Sequence, residues 1–383
     1  MNGPSKLLRE EEQMSTQLSK YDIATRDAIR QMHTLRLSDE QRHALLTNKQ
    51  RIEAMLRERT SETTAMLGEA WADGCAFFSY SLELPPEAWT KLRLHTYHFT
   101  GDNYQAYLLG QPGPVCDVWA NEVADLPERL MLSEPVGEIG FAYQGRLISS
   151  DIVRFQHVVG TLCRQGVLEQ LTRPAHPLTL EIGSGYGGLA YHLHRIIGRG
   201  TRVLLDLPET LLFAAQYLAV NCPDARVYLY GSGDAPAALA EPHAYDFILL
   251  PNFRLDLLRS WRFDLAINME SLQEMRATQV DEYLAFLAQT SQLFYSYNQD
   301  ANPINHELND LSIRLRRYFH LTPVPLDKTR PNSAIKQALR VGLAKLGLSV
   351  TRIPRNWVNP TGVEYLCSPS RSASNSLKRA GST

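Results

Sequence analysis

No stretch of this 383-residue chain approaches the roughly 18 consecutive apolar residues that a membrane-spanning helix requires. Neither sign of charge dominates: 39 Lys and Arg stand against 41 Asp and Glu, a formal net charge of -2. A protein that holds nucleic acid through a general basic field is therefore not expected. The five cysteines, Cys75, Cys116, Cys163, Cys222 and Cys367, are odd in number, widely scattered and free of CxxC spacing. That argues against a disulfide scaffold and against a thiolate zinc site. Met1-Asn2-Gly3-Pro4-Ser5 lacks the apolar core of a signal peptide, and no internal repeat is visible. The expectation is a cytoplasmic protein without a membrane span. Its length exceeds the roughly 100–200 residues of one domain, so a catalytic domain with an accessory region is expected.

What is present falls into four parts. Residues 1–70 are polar and helical in pattern. Ser38-Asp39-Glu40-Gln41 fits a capping box, followed by an apolar stripe of Leu45, Ile52, Met55 and Leu56. Such a helix either docks on the catalytic body or pairs in a homodimer, since one short stripe is not stable alone. Residues 71–175 form a helical cap and lead-in, with Phe77, Phe78, Tyr80, Trp89, Tyr97, Phe99, Tyr104 and Tyr107 crowding its start. Core packing is the favoured reading of these rings, and a flat ligand face the other. Residues 176–367 alternate short apolar runs with helical stretches. Leu178–Ile182, Arg202–Asp206, Arg226–Tyr230, Phe247–Leu250, Phe263–Ile267 and Leu293–Tyr297 all read as strands. Strands separated by helices predict an α/β, Rossmann-like domain, a mostly parallel sheet covered on both faces. Residues 368–383 are rich in Ser, Arg and Lys, so a disordered tail is expected, dispensable for turnover.

The segment Glu181-Ile182-Gly183-Ser184-Gly185-Tyr186-Gly187-Gly188 follows a strand and opens a helix. Glycines there allow a sharp turn and close approach of a ligand at the carboxyl ends of the strands. The spacing Gly183, Gly185, Gly188 also satisfies the dinucleotide pattern, so the glycines alone do not separate NAD from S-adenosylmethionine. Asp206, ending the next strand, suits a ribose in either. Glu181 discriminates: a carboxylate beside the turn repels a pyrophosphate, whereas it can bind the ammonium of a methionine moiety. S-adenosylmethionine is favoured.

These residues, with Leu189-Ala190 and Asp206-Leu207-Pro208-Glu209-Thr210-Leu211, resemble the class I S-adenosylmethionine-dependent methyltransferases. Asn268-Met269-Glu270-Ser271-Leu272-Gln273-Glu274-Met275 and Leu249-Leu250-Pro251-Asn252 narrow the resemblance to a group of sugar O-methyltransferases, over about residues 130–300. The resemblance implies a methyltransferase domain that binds S-adenosylmethionine through Glu181, Gly183, Ser184, Gly185, Gly187, Asp206, Leu207, Asn252 and Asn268. It implies a small-molecule acceptor, a sugar or glycoside, and places residues 268–275 beside the transferred methyl. Asp234 is a rival to Asn252 for the adenine loop.

Methyl transfer to a hydroxyl requires alignment of the acceptor and removal of its proton. Glu274 and His306 are the candidate bases, with Glu270, Gln273 and Asn298 as candidate acceptor contacts. Ser271-Leu272-Gln273-Glu274 also fits a capping box, which would reduce Glu274 to a helix cap. His192 and His194, two apart on a helix, diverge and cannot share a metal; no metal is expected. An NAD-dependent oxidoreductase, a methyltransferase of a non-sugar acceptor and a non-catalytic cofactor-binding subunit are the alternatives.

Overall fold

The computed structural model describes residues 36–60, 71, 75, 78–92, 114–135, 138–300, 305, 307–308, 310–324 and 362–370. Its frame is an eight-stranded sheet in the order β5-β6-β4-β3-β7-β8-β10-β9. The strands are β3 (Leu178–Ile182), β4 (Thr201–Asp206), β5 (Val227–Leu229), β6 (Phe247–Pro251), β7 (Leu265–Met269), β8 (Phe294–Gln299), β9 (Phe319–Pro323) and β10 (Gly362–Pro369). All six strands expected from the sequence are present, and their mutual pairings are parallel. β3, β4 and β6 are almost wholly buried, the pattern of strands covered on both faces. The Rossmann-like expectation is met.

Chain order steps from β3 to β4 on one side and resumes at β7 on the other. The carboxyl end of β3 is therefore the switch point at which a crevice opens. Right-handed crossovers place α5 (Gly188–Ile197) and α6 (Pro208–Asn221) on the opposite face from α8 (Ala277–Thr290). Rings lock the first layer: Tyr191 meets Tyr217 at 5.4 Å, and Tyr186 meets Phe155 at 6.0 Å. Phe155 belongs to α3 (Ser150–Arg164), which leads into the short α4 (Val167–Leu171). On the other face, Arg314 of α9 (Leu311–Tyr318) reaches Asp281 of α8 at 2.6 Å.

Three features were not expected. A hairpin of β1 (Phe141–Tyr143) and β2 (Arg146–Ile148) precedes α3. β9 and β10 add antiparallel pairs to the sheet; both are short of regular alternation and far apart in sequence. The first three residues of the expected disordered tail are paired instead: Ser368 pairs with His320, Pro369 with Phe319, and the Ser370 amide donates to the Tyr318 carbonyl. Residues 371–383 lie outside the described residues. A buried network fixes β10: His157 of α3 stands 3.2 Å from Glu122 of α2 (Val115–Val123) and 2.9 Å from Glu364. Tyr295 of β8 donates to the same Glu364 at 2.6 Å. Burial alone would lower the His157 pKa, but the hydrogen bonds and charges of the two carboxylates override it and raise it to about 9.

The N-terminal helix α1 (Asp39–Glu58) starts at the expected capping box, with Ser38 Oγ accepting from the Gln41 amide at 3.1 Å and Gln41 Oε1 accepting from the Ser38 amide at 3.0 Å. Leu45, Ile52 and Met55 are buried. Polar ties orient the helix along α6: Asn48 donates to the Ala215 carbonyl at 3.2 Å, and Gln216 donates to the Leu45 carbonyl at 2.9 Å. Docking on the body, rather than pairing with a second copy, is what this stripe does. Phe78 and Trp89 both pack edge-on against Phe213, at 5.4 and 5.5 Å, the core role preferred for those two rings.

Candidate active site

β3 delivers Glu181 and the glycine turn to the switch point. Gly183, Gly185 and Gly187 all hold positive φ, at 72°, 54° and 76°. At Gly183 the constraint is internal, because a Cβ would collide with the Ser271 side chain of the loop after β7. At Gly185 nothing lies within 4 Å of the Cβ direction, so the turn faces open space there. Ser184 is buried, and its Oγ has no hydrogen-bond partner among the described residues.

The two acids expected at the cofactor differ in kind. Asp206 is half-buried and accepts from the Gly185 amide at 2.7 Å and from the Leu207 amide at 2.7 Å. It thereby clamps the glycine turn to the end of β4, a role the sequence did not reveal. Burial raises its pKa to about 6, against hydrogen bonds from Thr210, Leu207 and Gly185 that pull it down. Glu181 is 6% exposed, and its carboxylate makes no hydrogen bond among the described residues. Burial, with the Asp206 charge adding, pushes its pKa well above the usual carboxylate range. A buried carboxylate without a partner is costly in a folded protein, and a cationic ligand would relieve it. The residues present thus fit S-adenosylmethionine: an orphan acid for its ammonium, a second acid with lone pairs left over, and an open glycine.

The other expected cofactor residues divide. Leu207 heads α6 and lies under Cys75 and Trp71 from the N-terminal side. Asn252, the first residue after β6, is half-buried, and its amide makes no hydrogen bond among the described residues. Asn268 is different: it is 0% exposed and wholly engaged inside the protein. Its Nδ2 donates to the Ile182 carbonyl at 2.7 Å and to Ser271 Oγ at 2.5 Å, while Oδ1 accepts from the Leu272 amide at 3.1 Å. The expected contact with methionine or acceptor is replaced by a pin that holds the loop after β7 against the glycine turn.

The acceptor side shows the same pattern. Asn298 is fully buried; it accepts from the Gln273 amide at 3.4 Å and donates to Ser296 at 3.1 Å. Gln273 is buried too, its Oε1 taking the Gln299 amide at 2.6 Å. Both tie the loops after β7 and β8 together; the Asn298 amide is engaged at both ends, whereas Gln273 Nε2 makes no hydrogen bond among the described residues. Glu270 stands in the left-handed region at φ 59°, unusual for a side chain with a Cβ. Its amide donates to the Tyr297 carbonyl at 2.7 Å, and its carboxylate pairs with Arg154 at 3.4 Å. Arg154 also holds Asp151 at 2.6 Å, and Asp151 accepts from Tyr186 at 3.1 Å. Arg154, Asp151 and Tyr186 are site neighbours that no motif flagged.

Glu274 is not a cap. Ser271 makes no side-chain cap bond; its Oγ donates to the Ile182 carbonyl at 3.1 Å instead. The Glu274 carboxylate accepts from the Trp71 indole at 2.9 Å. Burial raises its pKa to about 7, opposed by the indole N–H and assisted by the charges of Glu270 and Asp206. His306 lies outside the described residues.

His192 and His194 diverge as expected. His192 packs on Phe155 at 5.9 Å, with burial lowering its pKa to about 3, whereas His194 packs on Phe247 at 4.8 Å. Among the described residues no group of three or more His, Cys, Asp or Glu could hold a metal, and no helix is long and apolar enough to cross a membrane.

No family model and no curated protein matches the chain. Solved structures do. An O-methyltransferase family protein from Burkholderia thailandensis aligns at 10% identity and TM-score 0.32, covering 69% of this chain and 71% of that one. Phosphoethanolamine N-methyltransferase 2 from Haemonchus contortus, in complex with S-adenosyl-L-methionine, aligns at 10% identity and TM-score 0.30, covering 54% and 52%. A cyclopropane-fatty-acyl-phospholipid synthase-like protein from Lactobacillus casei aligns at 13% identity and TM-score 0.30, covering 58% and 94%. Likeness this distant carries no argument about activity, which has to rest on the site.

Proposed function

We propose that this chain is an S-adenosylmethionine-dependent O-methyltransferase acting on a hydroxyl of a sugar or glycosylated metabolite. The observation that carries the reading is Glu181, a buried carboxylate with no partner among the described residues, beside a glycine turn open at Gly185. A dinucleotide would bring its pyrophosphate to that turn, and the Glu181 charge would oppose it. An ammonium satisfies it. Glu181 would hold the methionine ammonium, Asp206 the ribose hydroxyls, Ser184 Oγ and the glycine backbone the carboxylate end, and Asn252 the adenine.

When bound, S-adenosylmethionine supplies a methyl group already activated by its sulfonium. The protein's share is to exclude water, orient the hydroxyl and take its proton. A hydroxyl is a very weak acid, so the proton must leave as the methyl arrives. Glu274, with a pKa of about 7, matches that task at neutral pH. Glu270, held by Arg154, would orient the acceptor. The sugar acceptor rests on the motif resemblance alone.

The test is a screen of sugars, glycosides and non-sugar alcohols and amines, scored by release of S-adenosylhomocysteine. Turnover with a sugar hydroxyl supports the reading. Turnover confined to amines, or binding of S-adenosylmethionine with no turnover on any acceptor, contradicts it.

A further inference from the structure

The N-terminal region meets the catalytic domain at more than its docked helix. Just past α1, Arg59 forms a two-pronged pair with Glu209 at 2.7 and 3.0 Å, at the head of α6. Cys75 and Trp71 then cover Leu207 beside the Asp206 carboxylate. Trp71 also packs against Phe78 at 6.3 Å, and its indole N–H donates to Glu274 Oε2 at 2.9 Å, on the loop after β7. Contacts at the ends of β4 and β7 flank the glycine turn from both sides. Oε1 of Glu274 has no hydrogen-bond partner among the described residues.

We infer that Trp71 is a positioning residue for Glu274: its indole N–H fixes Oε2 and leaves Oε1 to face the acceptor. The inference rests on the reading of Glu274 as the base. The accessory region is then part of the active site, and the catalytic domain alone lacks the donor that orients its base. Charged groups also bear on this carboxylate. Glu270 acts from the same loop and Asp206 from the end of β4, both disfavouring its ionised form, while Arg154 of α3 offsets Glu270. Trp71 is the neutral group that favours the ionised form, so removing its N–H leaves the carboxyl harder to ionise.

The experiment is a pH titration of the full chain with 13C-labelled glutamate carboxyls, the Glu274 signal being the one lost in Glu274→Gln. The expected midpoint is near 7 in the wild type. In Trp71→Phe, which keeps a ring and removes the donor, it should rise by about one pH unit. A second measurement does not depend on that variant folding. Of the five tryptophan indole N–H signals, one should move with the same midpoint in the wild type and stand still in Glu274→Gln. An unchanged midpoint in folded Trp71→Phe, or no indole signal that titrates with Glu274, overturns the inference. A merely structural Trp71 would move neither. Failure of the underlying reading looks different: Glu274→Gln would then turn over an acceptor found in the screen at the wild-type rate, whatever the titrations show.

Discussion

The two sides of the switch point use polar residues in opposite ways. At the ends of β3 and β4, Glu181 and Ser184 are buried with hydrogen-bonding capacity left over. At the ends of β7 and β8, Asn268 and Asn298 are equally buried, yet both ends of each amide are engaged with backbone and neighbouring side chains. Burial and polarity alone therefore do not mark a ligand site. Unused valence does, because a protein tolerates an unsatisfied buried group only where something else completes it. On the second side Gln273 Nε2 is also unbonded among the described residues, but the ionisable exception is Glu274, holding one oxygen on Trp71 and leaving the other unbonded among those residues.

The largest expected effect falls on that exception. Glu274→Gln should lower turnover by about two to four orders of magnitude with little change in S-adenosylmethionine affinity, read by steady-state kinetics and calorimetry. In the wild type, kcat/KM should rise with pH and level off above about 7, because the base must be ionised. An unaltered rate in the variant would place Glu274 with Asn268 and Asn298 as a structural residue of that side.

In the buried network of His157, away from both sides, pH should act on stability rather than on binding. His157 has a raised pKa of about 9, so its contribution is complete below its unfolded value near 6.5 and is lost as pH climbs through 9. Denaturant unfolding should show stability falling by roughly 3 kcal/mol across that window. The fall should vanish in His157→Gln.

Asn268→Ala sharpens the contrast further. It should cost about 1–3 kcal/mol of folding stability, since the Leu272 amide loses its acceptor, while folded protein keeps its cofactor affinity. A selective loss of S-adenosylmethionine binding would instead move Asn268 to the ligand side. The smallest effect concerns the C-terminus. Ending the chain after Ser370 should change neither stability nor turnover, whereas ending it after Cys367 removes the pairings to His320 and Phe319 and lowers the melting temperature.

Much of this was legible in sequence because the signals were local. The glycine turn, the strand-end acids and the Ser38 capping box each depend on a few adjacent residues, and all three stand where expected. The misreadings arose where distant segments meet. Ser271-Leu272-Gln273-Glu274 carries the letters of a capping box, but Ser271 is drawn to the Ile182 carbonyl of β3 and Glu274 to Trp71, 203 residues away in sequence. Asn268 and Asn298 look like ligand residues in a motif, and only packing shows their amides already engaged. β9 and β10 escaped notice because their pairing joins segments about forty residues apart with little alternation in either.

The measurement that tests the central claim most directly is calorimetry of three ligands against the wild type and Glu181→Gln. S-adenosylhomocysteine carries the ammonium, methylthioadenosine lacks it, and NAD brings a pyrophosphate to the same turn. The wild type should bind the first two and not NAD. In Glu181→Gln the affinity for S-adenosylhomocysteine should fall by about 10- to 100-fold, the loss of a hydrogen bond between charged groups, while methylthioadenosine binds as before. Equal affinities of the two proteins for S-adenosylhomocysteine, or binding of NAD in preference to it, would contradict the account.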